Sequence, residues 1–421
     1  MPTATEPLPG TSDLWEPEVC DWVMLENTAR DIFGRYGFSE LRVPVFERTD
    51  VFVKSMGDET DVVQKEMYTF EDRGGRSLTL RPEGTAGVIR AIANRGLSQG
   101  EEQRVFYMGP MFRGERPAAG RKRQFHQIGV EAVGSLDPVT DAECIAMFVH
   151  YLDAIGIEGS RVQINTRGVA EDRKEVADAL CNYFRPVLDA MCEDCQRRLD
   201  TNIWRILDCK NEACQEKVAG APRITDLISA ESRAYFDAVC SCLDQIGVDY
   251  EVAPTLVRGL DYYVHTVFEV KHSGLGAQDA LAGGGRYRIV PPGGKKVLEG
   301  VGFATGMERL LMARESLGHK AGEPAGADVF LVSLGQDAVI PGLALAQSIR
   351  RAFEQLRVRA DFTARSMKAQ MRTANKLNAR VTIIRGGDEL AKGTIVCKNM
   401  ATSEQMEIPE SDVNAWLRAN L

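Results

Sequence analysis

Residues 104–134, RVFYMGPMFRGERPAAGRKRQFHQIGVEAVG, constrain the fold more than any other part of this chain. Two strand-like segments, 104–113 and Gln124–Val133, flank a loop broken by Gly114, Pro117 and Gly120. Side chains alternate across a strand, so Phe125, Gln127, Gly129 and Glu131 share one face, and His126, Ile128 and Val130 the other. An aromatic ring, an amide, a bare backbone and a carboxylate in a row make a poor core, because a buried unpaired carboxylate neutralises or destabilises. That face is expected to line a site. The loop carries Arg116, Arg121, Lys122 and Arg123, positive charge suited to phosphates.

Further short motifs follow in a fixed order: RPEGT at 81–85, the FRGE…RQFHQ pair, RGLDYY at 258–263, AGGGRY at 282–287 and GFATGMERL at 302–310. In that order the chain resembles the class II aminoacyl-tRNA synthetases, and RGLDYY with the Gln127/Glu131 pair resembles the histidyl-tRNA synthetase family from about residue 8 to the C-terminus. The resemblance implies a class II α+β catalytic domain with an antiparallel sheet flanked by helices. It further implies a helical insertion and a C-terminal α/β anticodon-binding domain.

Bulk properties agree. A chain of 421 residues exceeds one ordinary core, and 44% hydrophobic with 26% charged residues is a globular composition. No apolar run approaches membrane-spanning length, and MPTATEPLPG has neither a basic nor an apolar signal region. The ten cysteines are therefore expected to be reduced thiols of a cytoplasmic protein. Net charge is −9, but residues 327–421 hold 13 Lys and Arg against 10 Asp and Glu, a net of +3, leaving −12 on residues 1–326. A basic module on an acidic body suits a local nucleic-acid contact.

Along the chain, residues 17–36 read as a helix stopped by Gly37, followed by LRVPVFE (41–47) as a strand with Pro44 inside it. By resemblance, this helix and strand build a homodimer interface. MYTFEDRGGRSLTLRPEGT reads as a hairpin turning at Gly74-Gly75, and residues 137–155 as an amphipathic helix. The core spans 1–317, interrupted by a helical, cysteine-rich insertion at about 168–250. Residues 318–326 are a linker, and 327–421 alternate strand and helix.

The resemblance also assigns chemistry. Histidine attacks the α-phosphate of ATP, and the ribose hydroxyl of tRNA-His then attacks the activated carbonyl. Arg113 would clamp the α-phosphate and the amino-acid carboxylate with its guanidinium fork. Arg258 would meet the α-phosphate where other class II enzymes place a metal ion, and Arg309 would hold the distal phosphates. Phe125 would stack on adenine. Glu83 and Thr85 would take the α-ammonium, with Gly283, Gly284 and Gly285 beneath the substrate. Glu131, Tyr263, Gln127 and Tyr262 would recognise the imidazole through hydrogen bonds. Arg116, Arg121, Lys122 and Arg123 would touch the tRNA acceptor end.

ATP enters as substrate with Mg2+, and no tightly bound organic cofactor or catalytic metal is expected. Cys192, Cys195, Cys209 and Cys214 form C-x2-C-x13-C-x4-C, a spacing that suits zinc. The intervening RRLDTNIWRILDCKN resembles family text that carries serine or other residues at the cysteines, so unligated thiols are the expectation. His126 and His265 are expected to be packed or surface residues. Gly114 and Arg288 depart from the family's usual histidine and aspartate. The alternative is the non-catalytic paralogue that regulates ATP phosphoribosyltransferase, which typically lacks the C-terminal domain and the arginines retained here.

Overall fold

The computed structural model describes residues 5–421 apart from 58, 59, 61, 99, 100, 261, 277, 278, 295, 321 and 323–325, so Asp261 of RGLDYY lies outside the described residues. The chain divides into two compact units, Met1–Gly322 and Glu323–Leu421.

In the first unit, α1 (Glu18–Arg35) buries Trp22, Leu25, Ala29, Ile32 and Phe33, the three-to-four spacing of one helical stripe. Gly37, at φ +80°, turns the chain into β1 (Ser39–Glu40). The strand expected at 41–47 is not continuous. Pro44 has no N–H to donate, and this segment is held by Arg81, whose Nη1 donates to the Val43 carbonyl and whose backbone N–H donates to Val45. Only β2 (Phe46–Arg48) forms, ahead of α2 (Thr49–Met56). The hairpin appears as β3 (Thr69–Glu71) and β4 (Ser77–Leu80), with Asp72 accepting from the Gly74 and Arg76 N–H groups in the turn. Then come α3 (Thr85–Arg95), β5 (Gln103–Phe112) and β6 (Gln124–Val133).

Helix α4 (Pro138–Ala154) is capped by the Asp137 carboxylate. It is less amphipathic than its sequence suggested: it lies between the sheet and neighbouring helices and buries Asp141 as well as Ile145, Phe148 and Leu152. Strand β7 (Arg161–Thr166) follows. The cysteine-rich stretch folds as α5 (Asp172–Phe184), α6 (Glu193–Thr201), a 3-10 turn at Ile203–Ile206, α7 (Glu212–Val218), α8 (Ile224–Leu227) and α9 (Ala230–Ile246). Helices α5 to α8 enclose a core of their own around Leu180, Phe184, Leu199 and Ile206, whereas α9 sends Phe236, Val239 and Leu243 into the main core beside α4.

The unit closes with β8 (Tyr250–Val252), β9 (Tyr263–Lys271), β10 (Ala280–Ile289), β11 (Leu298–Gly306) and α10 (Met307–Ser316). Eight strands order as β1-β5-β6-β11-β10-β9-β7-β8. The six central strands are antiparallel, and the short edge strands β1 and β8 pair parallel, so the sheet is mixed rather than purely antiparallel. Helices cover one face with the main core, and a second core gathers around α2 and α3.

The second unit runs β12 (Val329–Ser333), α11 (Val339–Ala352), β13 (Val358–Ala360), α12 (Met367–Lys376), β14 (Val381–Arg385), α13 (Gly387–Lys392), β15 (Thr394–Asn399), β16 (Gln405–Pro409) and α14 (Val413–Asn420). Its sheet order is β13-β12-β14-β15-β16. The three parallel strands β13, β12 and β14 are linked through helices, the arrangement expected of strand–helix alternation. Among the described residues no helix is long and apolar enough to cross a membrane.

Candidate active site

The central strands open on a cavity of about 530 Å³ in the first unit. Its floor comes from β6. Phe125, Gln127 and Glu131 all line it, while Ile128 and Val130 on the opposite face are fully buried in the main core. The expected alternation is the observed one. Gly129, read as bare backbone of the site, instead faces the ring of Tyr107 on β5: a Cβ there would stand 2.4 Å from the phenol, and one at Gly84 only 2.0 Å from the same ring. Tyr107 fills the slot between the two glycines.

Two carboxylates meet across α3. The Glu83 oxygens accept the N–H groups of Thr85 (2.8 Å) and Ala86 (2.7 Å), over the helix N-terminus. The Thr85 hydroxyl donates to Glu131 Oε1 at 2.6 Å. Thr85 therefore ties the two acids together as well as lining the pocket. Burial pushes the Glu83 carboxyl above its ordinary range, against the pull of those backbone donors and Arg113. Glu131 is pushed up to about 8, by burial first and by Glu83 in addition, with the Thr85 hydroxyl opposing. Glu131 Oε2 and Gln127 Oε1 are buried and have no hydrogen-bond partner among the described residues. Gln127 Oε1, and Glu131 Oε2 once ionised, are acceptors at the cavity wall, and a ligand that satisfies them must bring donors.

Opposite stand the cations. Arg258 Nη1 donates to Glu269 at 2.9 Å, and its guanidinium lies flat over Gly283, where a Cβ would come within 2.2 Å of Nη2. The glycine run was expected to bare the backbone beneath a substrate. Gly283 bares it beneath Arg258, Gly284 meets the Gly302 carbonyl, the Phe268 ring and Phe303 Cβ, and Gly285 meets the Thr266 carbonyl. Arg113 Nε donates to the Pro82 carbonyl at 2.9 Å, and its guanidinium stands 5.3 Å from the Phe125 ring centroid. Arg309 Nη1 donates to the Ala280 carbonyl. Its pKa is lowered by burial and then by neighbouring Arg121, a pair of cations that favours an anion between them. Tyr262 and Tyr263 lie with ring centroids 4.7 Å apart, both held neutral by burial.

A family model described as histidyl-tRNA synthetase matches residues 10–310, and one described as anticodon binding domain matches 328–420. The chain belongs to the histidyl-tRNA synthetase family. Membership makes it an aminoacyl-tRNA ligase of class II architecture. The histidine–tRNA ligase of Halothermothrix orenii is 46% identical over 401 residues, 95% of each chain, and that of Geobacillus sp. 46% over 417, 98% of each. The crystal structure of apo S. aureus histidyl-tRNA synthetase superposes with a TM-score of 0.81 at 35% identity, covering 99% of this chain and 100% of that one. An ATP phosphoribosyltransferase regulatory subunit/histidyl-tRNA synthetase from Bacillus halodurans C shares the fold at 19% identity and a TM-score of 0.65. The two histidine–tRNA ligases and the S. aureus synthetase support the ligase over the regulatory alternative.

Of the loop cations, Arg121 and Lys122 line the cavity, while Arg116 is exposed away from it. Arg123 departs from the expectation: its guanidinium donates to the Pro9 and Glu115 carbonyls and anchors the N-terminal segment. His126 packs edge-on against Trp22 beside Glu308, which accepts its backbone N–H. His265 stacks on Tyr235 at 4.1 Å and is pushed down to about 4 by burial, then by Arg286. Neither histidine is among the cavity's lining residues. Gly114 donates its N–H to the Glu66 carbonyl, and exposed Arg288 pairs with Glu299 at 3.4 Å.

Three features escaped sequence reasoning. Arg205, from the 3-10 turn of the helical module, lines the cavity. Glu269 orients Arg258, and its signal was a lone acid in an apolar strand. Fully buried Arg286 pairs with fully buried Asp141 at 2.6 Å and also donates to the Ser135 and Asp137 carbonyls. The arginine of AGGGRY is therefore a clamp between β10 and α4.

Proposed function

We propose that this chain is a histidine–tRNA ligase in which the β6 floor selects L-histidine and the arginines drive adenylation. The carrying observation is the pair of buried, unpartnered acceptors, Gln127 Oε1 and Glu131 Oε2, on the wall of a cavity ringed by Arg113, Arg258 and Arg309. An imidazole is a compact ring that brings N–H donors to such acceptors. Glu131 takes one ring N–H, the Tyr263 hydroxyl meets the other side, and Gln127 and Tyr262 close the pocket. A substrate without those donors leaves buried acceptors unsatisfied, which costs far more than a missing methylene. Glu83 accepts the α-ammonium through lone pairs not used by the helix, with Thr85 beside it.

The histidine carboxylate oxygen then attacks the α-phosphorus of MgATP and pyrophosphate leaves. Arg113 and Arg258 stabilise the charge that builds on the phosphoryl oxygens, already oriented by Pro82 and Glu269. Arg309 with Arg121 receives the distal phosphates, and Phe125 receives the adenine. In the second step the terminal ribose hydroxyl of tRNA-His attacks the activated carbonyl, with the 3′ end entering past Arg121 and Lys122. Residues 327–421 read the anticodon, 318–326 link them to the core, and the helical module of about 168–250 interrupts it. The chain works as a cytoplasmic homodimer through α1 and the 41–47 segment; sedimentation as a fully active monomer at micromolar concentration would remove that element.

The deciding experiment is amino-acid-dependent ATP–pyrophosphate exchange across all twenty amino acids. Exchange is expected with histidine alone. Exchange with another amino acid and none with histidine sinks the reading.

A further inference from the structure

The cysteines expected to be unligated are not scattered. Cys192 occupies the N-cap position of α6, Cys195 lies in its first turn, Cys209 follows the Ile203–Ile206 turn and Cys214 lies in α7. Their four Sγ atoms all fall within 4.8 Å of one another, and Cys192 Sγ stands 3.8 Å from Cys209 Sγ. A tetrahedral zinc with bonds of about 2.3 Å sets its sulfurs roughly 3.8 Å apart, whereas a disulfide brings two sulfurs to about 2.05 Å. Three of the four thiols are buried, and the Cys192 N–H points at Cys214 Sγ at 3.2 Å, the backbone-to-sulfur bond that supports a metal-bound thiolate.

The cluster also sits where a staple has work to do. Helices α5 to α8 share a core separate from the main one. Between Cys195 and Cys209 the chain makes the Ile203–Ile206 turn. Trp204 of that turn lies 5.0 Å under the Arg167 guanidinium, and Arg167 donates to the carbonyl of Leu260, two residues after Arg258 in RGLDYY. Arg205 of the same turn reaches the cavity wall.

We propose that Cys192, Cys195, Cys209 and Cys214 bind one structural Zn2+, which fixes the Ile203–Ile206 turn and so sets the Arg205 wall of the active-site cavity. Four thiolates leave no open coordination position, so the ion is a staple and takes no part in the chemistry.

The test uses the full chain purified without chelator. Elemental analysis is expected to find about one zinc per chain, and Co2+ exchange to give a thiolate-to-metal charge-transfer band with tetrahedral visible bands. Cys214→Ser should lose both. If that variant does not fold, cobalt titration of the unaltered chain decides alone. Stripping the metal should speed proteolysis between residues 190 and 215 while the far-ultraviolet signal of the main body persists. Substoichiometric zinc without a charge-transfer band, metal retained by Cys214→Ser, or a Cys192–Cys209 disulfide in the freshly purified chain would each overturn the site. Unchanged proteolysis after metal removal would overturn its role at the turn.

Discussion

At the scale of single residues, Glu131 sets how binding responds to pH. Its carboxyl is held up to about 8 in the empty pocket, so it carries a proton at neutrality. An imidazole titrating near 6.5 in water then shares that one proton with it. Binding is expected to release a proton below the imidazole range, to exchange almost none between there and about 8, and to take one up above. Calorimetry in buffers of different ionisation enthalpy reads this directly, and Glu131→Gln should abolish the uptake at high pH. The same shift makes the unliganded chain less stable as pH rises. A raised carboxyl binds its proton more tightly folded than unfolded, so its contribution is present below the ordinary value of 4.5 and lost as pH passes about 8. The cationic side offers a second residue-level experiment. Arg258→Ala should lower kcat for histidine activation by roughly 10²–10³ with little change in KM for histidine. Gly283→Ala puts a methyl where the guanidinium lies and should reproduce much of that loss with little loss of stability. If Gly283→Ala is fully active, the glycine does not seat Arg258.

At the scale of elements, the buried pair Arg286–Asp141 joins β10 to α4 with two carbonyl acceptors completing the arginine's bonds. Removing one partner strands the other charge, so Arg286→Ala should cost about 3–5 kcal/mol in urea unfolding at unchanged m-value. A loss below about 1 kcal/mol would mean water repairs the gap. What sequence could and could not reveal follows the range of the interaction. The β6 face was legible because period-two alternation is local. Glu83 and Thr85 were found as pocket residues, but the bond from the Thr85 hydroxyl depends on where Glu131 arrives from 46 positions away. Arg286 was hidden inside a glycine motif, and its partner sits in an apolar helix where an acid seemed incidental. The break in the 41–47 strand was missed because its support is one residue, Arg81, through its side chain and its backbone N–H, rather than a continuous ladder.

For the whole molecule, the two compact units invite a separation of half-reactions. Residues 1–322 hold every proposed pocket residue and should still activate histidine, while charging tRNA poorly, with the deficit greatest at low salt and narrowing as salt rises. Loss of histidine activation itself on truncation would make the C-terminal unit a support for the core. That unit was legible from its strand–helix alternation. Its last strand, Gln405–Pro409, was not: a polar, mostly exposed edge strand carries little hydrophobic pattern to read.

The two acceptors at the pocket wall reach beyond catalysis, into turnover. A ligand that they hold binds the folded chain alone, and at a hundred times its Kd it adds about 2.7 kcal/mol to the folded state. In a starved cell the synthetase would open more often to proteases, and its lifetime would track the supply of the nutrient it consumes.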